Sequence, residues 1–170
     1  MRPLRLVSLA LIVLLTGAAV AHAAVYDVKR VLGDDLPRVA KKTQVPVRLP
    51  TKINLDYGKN VFGSGTGSKN RYSFGIDAAQ PCGANACFLA QFRAEKGGEP
   101  AFDREVLLAK GITGYYKPLT CGGSCSPPMI EWVQGGYLYG IQAKVGVSGK
   151  SAQRRAMVRA ANSSILATPR

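Results

Sequence analysis

The residues best placed for chemistry are the four cysteines, Cys82, Cys87, Cys121 and Cys125. They form two close pairs, Cys-x4-Cys and Cys-x3-Cys, each in a glycine-bearing turn (Pro81 to Cys87, and Cys121-Gly-Gly-Ser-Cys125). In a reducing compartment two such pairs would read as zinc ligands. In an oxidising one an even count reads as disulfides. Four cysteines allow three pairings. Bridging within each pair is favoured, because each pair closes a short loop that glycine can bend. The alternative is that the two loops lie side by side and cross-link. Neither spacing is the Cys-x-x-Cys of a redox enzyme.

Other reactive patterns are thinner. The single histidine is His22, so residues 24–170 hold no Ser-His-Asp or Cys-His machinery in its ordinary form, and no histidine zinc site. Ser148-Gly149-Lys150 has the wrong spacing for a Ser-x-x-Lys nucleophile. Gly63 to Lys69 is rich in glycine and ends in lysine. It lacks the Gly-x4-Gly-Lys-Ser/Thr order of a phosphate loop and leads into no apolar helix. Glu131 is the best single carboxylate for glycan acid–base chemistry, which needs a second one nearby. Strand alternation turns its neighbour Trp132 inward and Glu131 towards solvent. Tyr115, Tyr116, Trp132, Tyr137 and Tyr139 are candidates to line a ligand groove, with cross-strand core packing as the competing reading. No catalytic residue, metal or cofactor is assigned.

The elements around these residues follow from patterning. Arg2 and Arg5, an apolar run from Leu6 to Val20 and the small-x-small Ala21-His22-Ala23 have the layout of a secretory leader, residues 1–23, cleaved after Ala23 or Ala24. No cysteine follows the apolar run, so a lipoprotein anchor is not indicated. No later segment is apolar and long enough to span a bilayer. The remainder, 24–170, reads as one domain, placed in the periplasm or secreted beyond it. It carries 21 basic and 10 acidic side chains, a balance of +11, which favours anionic partners. The basic residues are scattered; Arg154, Arg155 and Arg159 form the one local cluster, and no dedicated nucleic-acid patch is signalled.

Within the domain, Asp34 or Asp35 caps a short helix to about Lys42, with Pro37 in its first turn. Val45 to Pro50 reads as a short strand demoted to an edge by its prolines. Gly58 to Lys69 reads as a hairpin or flexible loop. Tyr72, Phe74 and Ile76 mark one strand face, with Arg71, Ser73 and Asp77 off it. Strands follow at Cys87 to Phe92, Glu105 to Ala109, Ile112 to Tyr116, Met129 to Gln134 and Tyr137 to Ala143. A turn is expected at Glu95 to Pro100 and a hairpin at Gly135-Gly136. Ser151 is the expected cap of a last helix from Ala152 to about Leu166, with Val158, Ala161 and Ile165 as its apolar stripe. The fold class is α+β: about six or seven antiparallel strands, a short N-terminal helix, and a C-terminal helix packed on one face.

The stretch Gly111 to Trp132, with its Cys turn and Glu131-Trp132 strand, the Gly136-Tyr137-x-Tyr139-x-Ile141 hairpin, and Ala161-Asn162-Ser163-Ser164-Ile165 resemble a group of uncharacterised exported bacterial proteins. The resemblance covers about the last third of the domain and implies no activity. The expected curved sheet with a helix across it also resembles lipoprotein-carrier and sigma-factor-regulator periplasmic domains, an analogy of fold alone. The expected function is a non-enzymatic binding or interaction protein of the bacterial envelope, its partner an anionic or amphipathic envelope component or another envelope protein. The Arg154, Arg155 and Arg159 cluster is a candidate contact. The alternative is an envelope hydrolase using carboxylates on cell-wall glycan.

Overall fold

A computed structural model describes residues 23–169. The leader reading falls, apart from Ala23, outside the described residues. The chain starts on a short strand, β1 (Ala24–Asp27), and turns into two helices, α1 (Val28–Leu32) and α2 (Asp35–Ala40). The sequence suggested one helix here. Asp27 caps the first, its Oδ1 accepting the Arg30 amide at 2.9 Å. Gly33, at φ 48°, then breaks the path before α2. Asp34 stands before α2 without a capping bond. A strand β2 (Lys52–Leu55) returns antiparallel to β1.

The main sheet has seven antiparallel strands: β3 (Phe62–Ser68), β4 (Arg71–Asp77), β5 (Phe88–Lys96), β6 (Glu105–Leu107), β7 (Thr113–Lys117), β10 (Met129–Gln134) and β11 (Tyr137–Ala143). Their spatial order is β3-β4-β5-β11-β10-β7-β6. Two-residue strands β8 (Thr120–Cys121) and β9 (Cys125–Ser126) pair beneath the second cysteine turn. The α+β class holds. Both disulfides are local, Cys82–Cys87 and Cys121–Cys125. No helix among the described residues is long and apolar enough to cross a membrane.

Three strand readings change. Gly58 to Lys69 is not a loop alone: it contains β3, the sheet's edge strand, in register with all of β4. Its glycines had hidden it, because they give no apolar alternation. β5 runs on to Lys96, so the turn begins at Gly97 (φ 72°) rather than at Glu95. Val45 to Pro50 joins no ladder. It lies across the sheet's aromatic face, where tyrosine hydroxyls replace strand pairing. Tyr139 donates to the Pro46 carbonyl at 3.0 Å. Tyr72 donates to the Arg48 carbonyl and accepts from its amide, both at 3.2 Å. Burial pushes the Tyr72 hydroxyl well above its ordinary pKa, so it stays protonated and remains a donor.

The sheet's inner face is the core. Cross-strand neighbours Phe74 and Phe92, Ile141 and Phe92, and Ile130 and Ile141 are buried there. Trp132 stacks on its partner Tyr139 with ring centroids 5.4 Å apart. The last helix, α3 (Lys150–Leu166), covers β10 and β11. It begins at Lys150 after Gly149, without a side-chain cap, so Ser151 lies inside the first turn. Its buried stripe is Met157, Ala160, Ala161, Ser164 and Ile165, while Val158 is only half-buried. The small residues let the helix sit close to the aromatic face.

Polar contacts fix α3 in place and account for the motif at its end. Asn162 Oδ1 accepts the Ala109 amide at 2.7 Å, and Ser163 Oγ accepts the Thr51 amide at 3.1 Å. Arg48 Nη1 donates to the carbonyls of Ile165 (3.2 Å) and Ala167 (3.1 Å), where the helix dipole is negative. Charge-assisted bonds of this kind are worth about 1.5–3 kcal/mol. Arg48→Met keeps the stem packing and removes the head; a loss of about 2 kcal/mol is expected in denaturant unfolding, with α3 amides exchanging first. A change under about 0.5 kcal/mol would show that Arg48 does not hold the helix end.

Candidate functional site

Opposite the core, the sheet has an outer face whose chemistry is set by strand register. One row across it reads Thr66, Ser73, Arg93, Gly140, Glu131, Tyr115 and Glu105. Gly140 is the key to this row. It sits in β11 between Arg93 and Glu131, and a Cβ there would lie 3.0 Å from Arg93 Nε. The missing side chain leaves a channel over β11. Arg93 reaches through it, and its Nη2 meets Glu131 Oε1 at 2.5 Å.

Glu131 is therefore not a solvated residue, as alternation alone suggested. It does face away from Trp132, but its exposure is 0%. The cover is the connection from β5 to β6, residues 97–104, which crosses this end of the outer face. The Ala101 amide donates to Glu131 Oε2 at 2.9 Å, and Lys117 Nζ lies 5.6 Å from the centre of the Phe102 ring in the same strap. Both carboxylate oxygens thus have a donor, as a buried charge requires.

Beside this pair lies a cleft of about 410 Å³ lined by Thr66, Arg71, Ser73, Gln91, Arg93 and Glu95, among others. Gln91 Nε2 donates to Ser73 Oγ at 3.1 Å. The exposed Arg71 and the half-exposed Arg93 supply positive charge. Among the described residues Arg93 contacts run through Nη2 alone, which leaves Nε and Nη1 as donors. Beside the apolar Ala94 and Leu138, the lining offers hydrogen-bonding groups on a rigid sheet, with two cations against the one acid Glu95, suited to a polar ligand with negative charge.

The residues singled out in the sequence do not share one surface. Trp132, Tyr116 and Tyr139 are buried in the core under α3, and only Tyr115 faces outward beside Glu131. Tyr137 is half-buried on the inner side at the hairpin end. Alternation explains the split, since neighbours such as Tyr115 and Tyr116 must take opposite faces. Arg154, Arg155 and Arg159 are exposed on α3, behind the sheet from the cleft. The cysteines shape two turns away from it. Sequence reasoning missed Arg71, Ser73, Gln91 and Arg93 as a group. Two signals pointed to them: polar residues alternating with core residues in two adjacent strands, and a glycine inside an aromatic strand, which marks a close approach.

Asp77, at the end of β4 on this face, is held above its ordinary pKa by burial. A carboxyl raised in the folded state costs stability when ionised. The cost is absent below the unfolded pKa and fully present above the folded one. Asp77→Asn is therefore expected to raise Tm near neutral pH and to leave it unchanged below the carboxylate range. An equal shift at both would point to a cause other than charge burial.

Comparison with family models, with curated proteins and with solved structures finds no match to this chain.

Proposed function

We propose that this is an exported, non-enzymatic binding protein of the bacterial envelope, which takes an anionic, polar component on the outer face of its sheet. The observation that carries the reading is the cleft, where Arg71 and Arg93 outnumber the single acid Glu95, the cross-strand partner of Arg71, and stand beside the neutral polar groups of Thr66, Ser73 and Gln91. The two disulfides fit an oxidising compartment, in agreement with the leader pattern. Periplasm or secretion beyond it is the proposed location. The inner face is filled by its own aromatic residues, which favours a polar ligand outside over an acyl chain within.

A hydrolase would need a carboxylate that meets substrate. Glu131 has both oxygens taken by Arg93 and the Ala101 amide, and Glu95, the one acid in the cleft lining, has no second carboxylate there to work with, which favours binding without turnover. The test is an amide-shift titration with trigalacturonate and with its neutral methyl ester. Saturable shifts at Ser73, Gln91 and Arg93 with the acid alone, lost in Arg71→Gln, are expected. Equal response to the ester, or shortening of the trimer, would overturn the reading. Mass spectrometry of protein exported with its own leader tests the address: a full-length mass would remove it.

A further inference from the structure

The two faces of the domain differ in charge. α3 carries Lys150, Arg154, Arg155 and Arg159 and no acid in its 17 residues. The segment 27–42, holding α1 and α2, adds five cations against three acids. Both lie on the inner side of the sheet, so this helical layer is net +6. The outer face, by register, holds Arg71, Arg93 and Lys117 against four acids, Asp77, Glu95, Glu105 and Glu131.

The placement of charge in α3 does not serve the helix. Its cap is glycine, its first residue is a lysine, and it has no cation in its last turn, the inverse of what the macrodipole favours. Lys150 and Arg154, and Arg155 and Arg159, are like-charged neighbours four apart, which repel. All four are exposed, and among the described residues neither ion pair of the protein involves them. The charge lacks an internal partner and calls for an external one.

The layer is also broad. α1 and α2 pack on β3 while α3 packs on β11 and β10, three and four strand spacings away, or roughly 14–19 Å. That separation exceeds the Debye length of about 8 Å at physiological salt. A small anion would meet one patch only. A flat anionic surface would meet both.

From this we propose that the helical layer docks on an anionic lipid bilayer, with the sheet's outer cleft facing away from it. Residues that would insert into the bilayer are few on this layer; the attraction is electrostatic, from headgroup charge. The inference stands apart from the cleft reading, since it uses different residues on the opposite side.

The experiment is co-sedimentation of the protein spanning residues 24–170 with vesicles of phosphatidylglycerol and phosphatidylcholine, against phosphatidylcholine alone. Binding to the charged vesicles only is expected, with release on raising NaCl to about 0.5 M. The triple substitution Arg154→Gln, Arg155→Gln and Arg159→Gln, checked for an unchanged Tm, is expected to lower the partition coefficient on the order of a hundredfold, at about fivefold per cation. Arg71→Gln should leave it unchanged. Equal binding to neutral vesicles, or wild-type binding by the triple variant, overturns the proposal. So does duplex DNA that displaces the protein from vesicles at equal phosphate, which would assign the layer to nucleic acid.

Discussion

Gly63→Ala is expected to destabilise the protein by on the order of 3 kcal/mol, a fall in Tm of roughly 6–12 °C for a domain of this size. Gly63 lies on the inner face of the edge strand β3, directly under the end of α1. A Cβ there would overlap the Val31 carbonyl oxygen and come 2.9 Å from the Leu32 Cα. Both are backbone atoms and cannot rotate away. α1 would have to lift, exposing Val28 and Leu32, which are now 0% and 3% exposed. The gain of about 0.4–1 kcal/mol from stiffening the unfolded chain offsets little of this.

The same strand provides the internal control. At Gly67 the nearest atom is a Val39 side-chain carbon, 2.8 Å away, a buried and stiff neighbour but less fixed, and less close, than the backbone met at Gly63. Gly67→Ala should therefore cost less than Gly63→Ala. Gly122, in the second cysteine turn, has nothing within 4 Å, and Gly122→Ala should be neutral or slightly stabilising. The order 63, 67, 122 in chemical denaturation is the prediction. Equal effects at 63 and 122 would mean that α1 does not rest on the glycine face.

The second large effect concerns the Arg93–Glu131 pair. Removing one partner of a buried ion pair typically costs 3–5 kcal/mol, because the other charge is left stranded. Arg93 is 46% exposed, and water can partly replace it, so Arg93→Met is expected to cost about 2–3 kcal/mol. Adding Glu131→Gln removes the stranded charge while keeping an acceptor for the Ala101 amide. The double variant should recover most of the loss, giving a coupling energy of about 2 kcal/mol. Gly140→Val should mimic the single variant by filling the channel through which Arg93 passes. Additive effects of the two substitutions would show that the pair is not coupled in the folded protein.

These variants also locate the boundary between pattern and tertiary arrangement. Local rules were enough wherever a residue's partner is its neighbour in sequence. The alternation of Tyr72, Phe74 and Ile76, the Gly135-Gly136 turn and the two local disulfides depend on contacts a few residues long. The closing helix and the α+β class were legible for the same reason. α1 was missed because five residues are too few to show a helical period, and its cap, Asp27, follows a strand.

The candidate site belongs to the other kind. Arg93 and Glu131 are 38 residues apart, in strands that do not touch, and meet only because β11 enters between them with glycine at the crossing. Alternation could assign Glu131 to the face opposite Trp132. It could not show that residues 97–104 would fold back over that face and turn an outward carboxylate into a buried one. Likewise the glycines of β3 read as flexibility until helices packed on them. The sequence by itself determined which residues alternate, where turns fall and how much charge the chain carries. Only the tertiary structure decided which face each charge occupies and what covers it, because those depend on contacts between distant segments that no local period encodes.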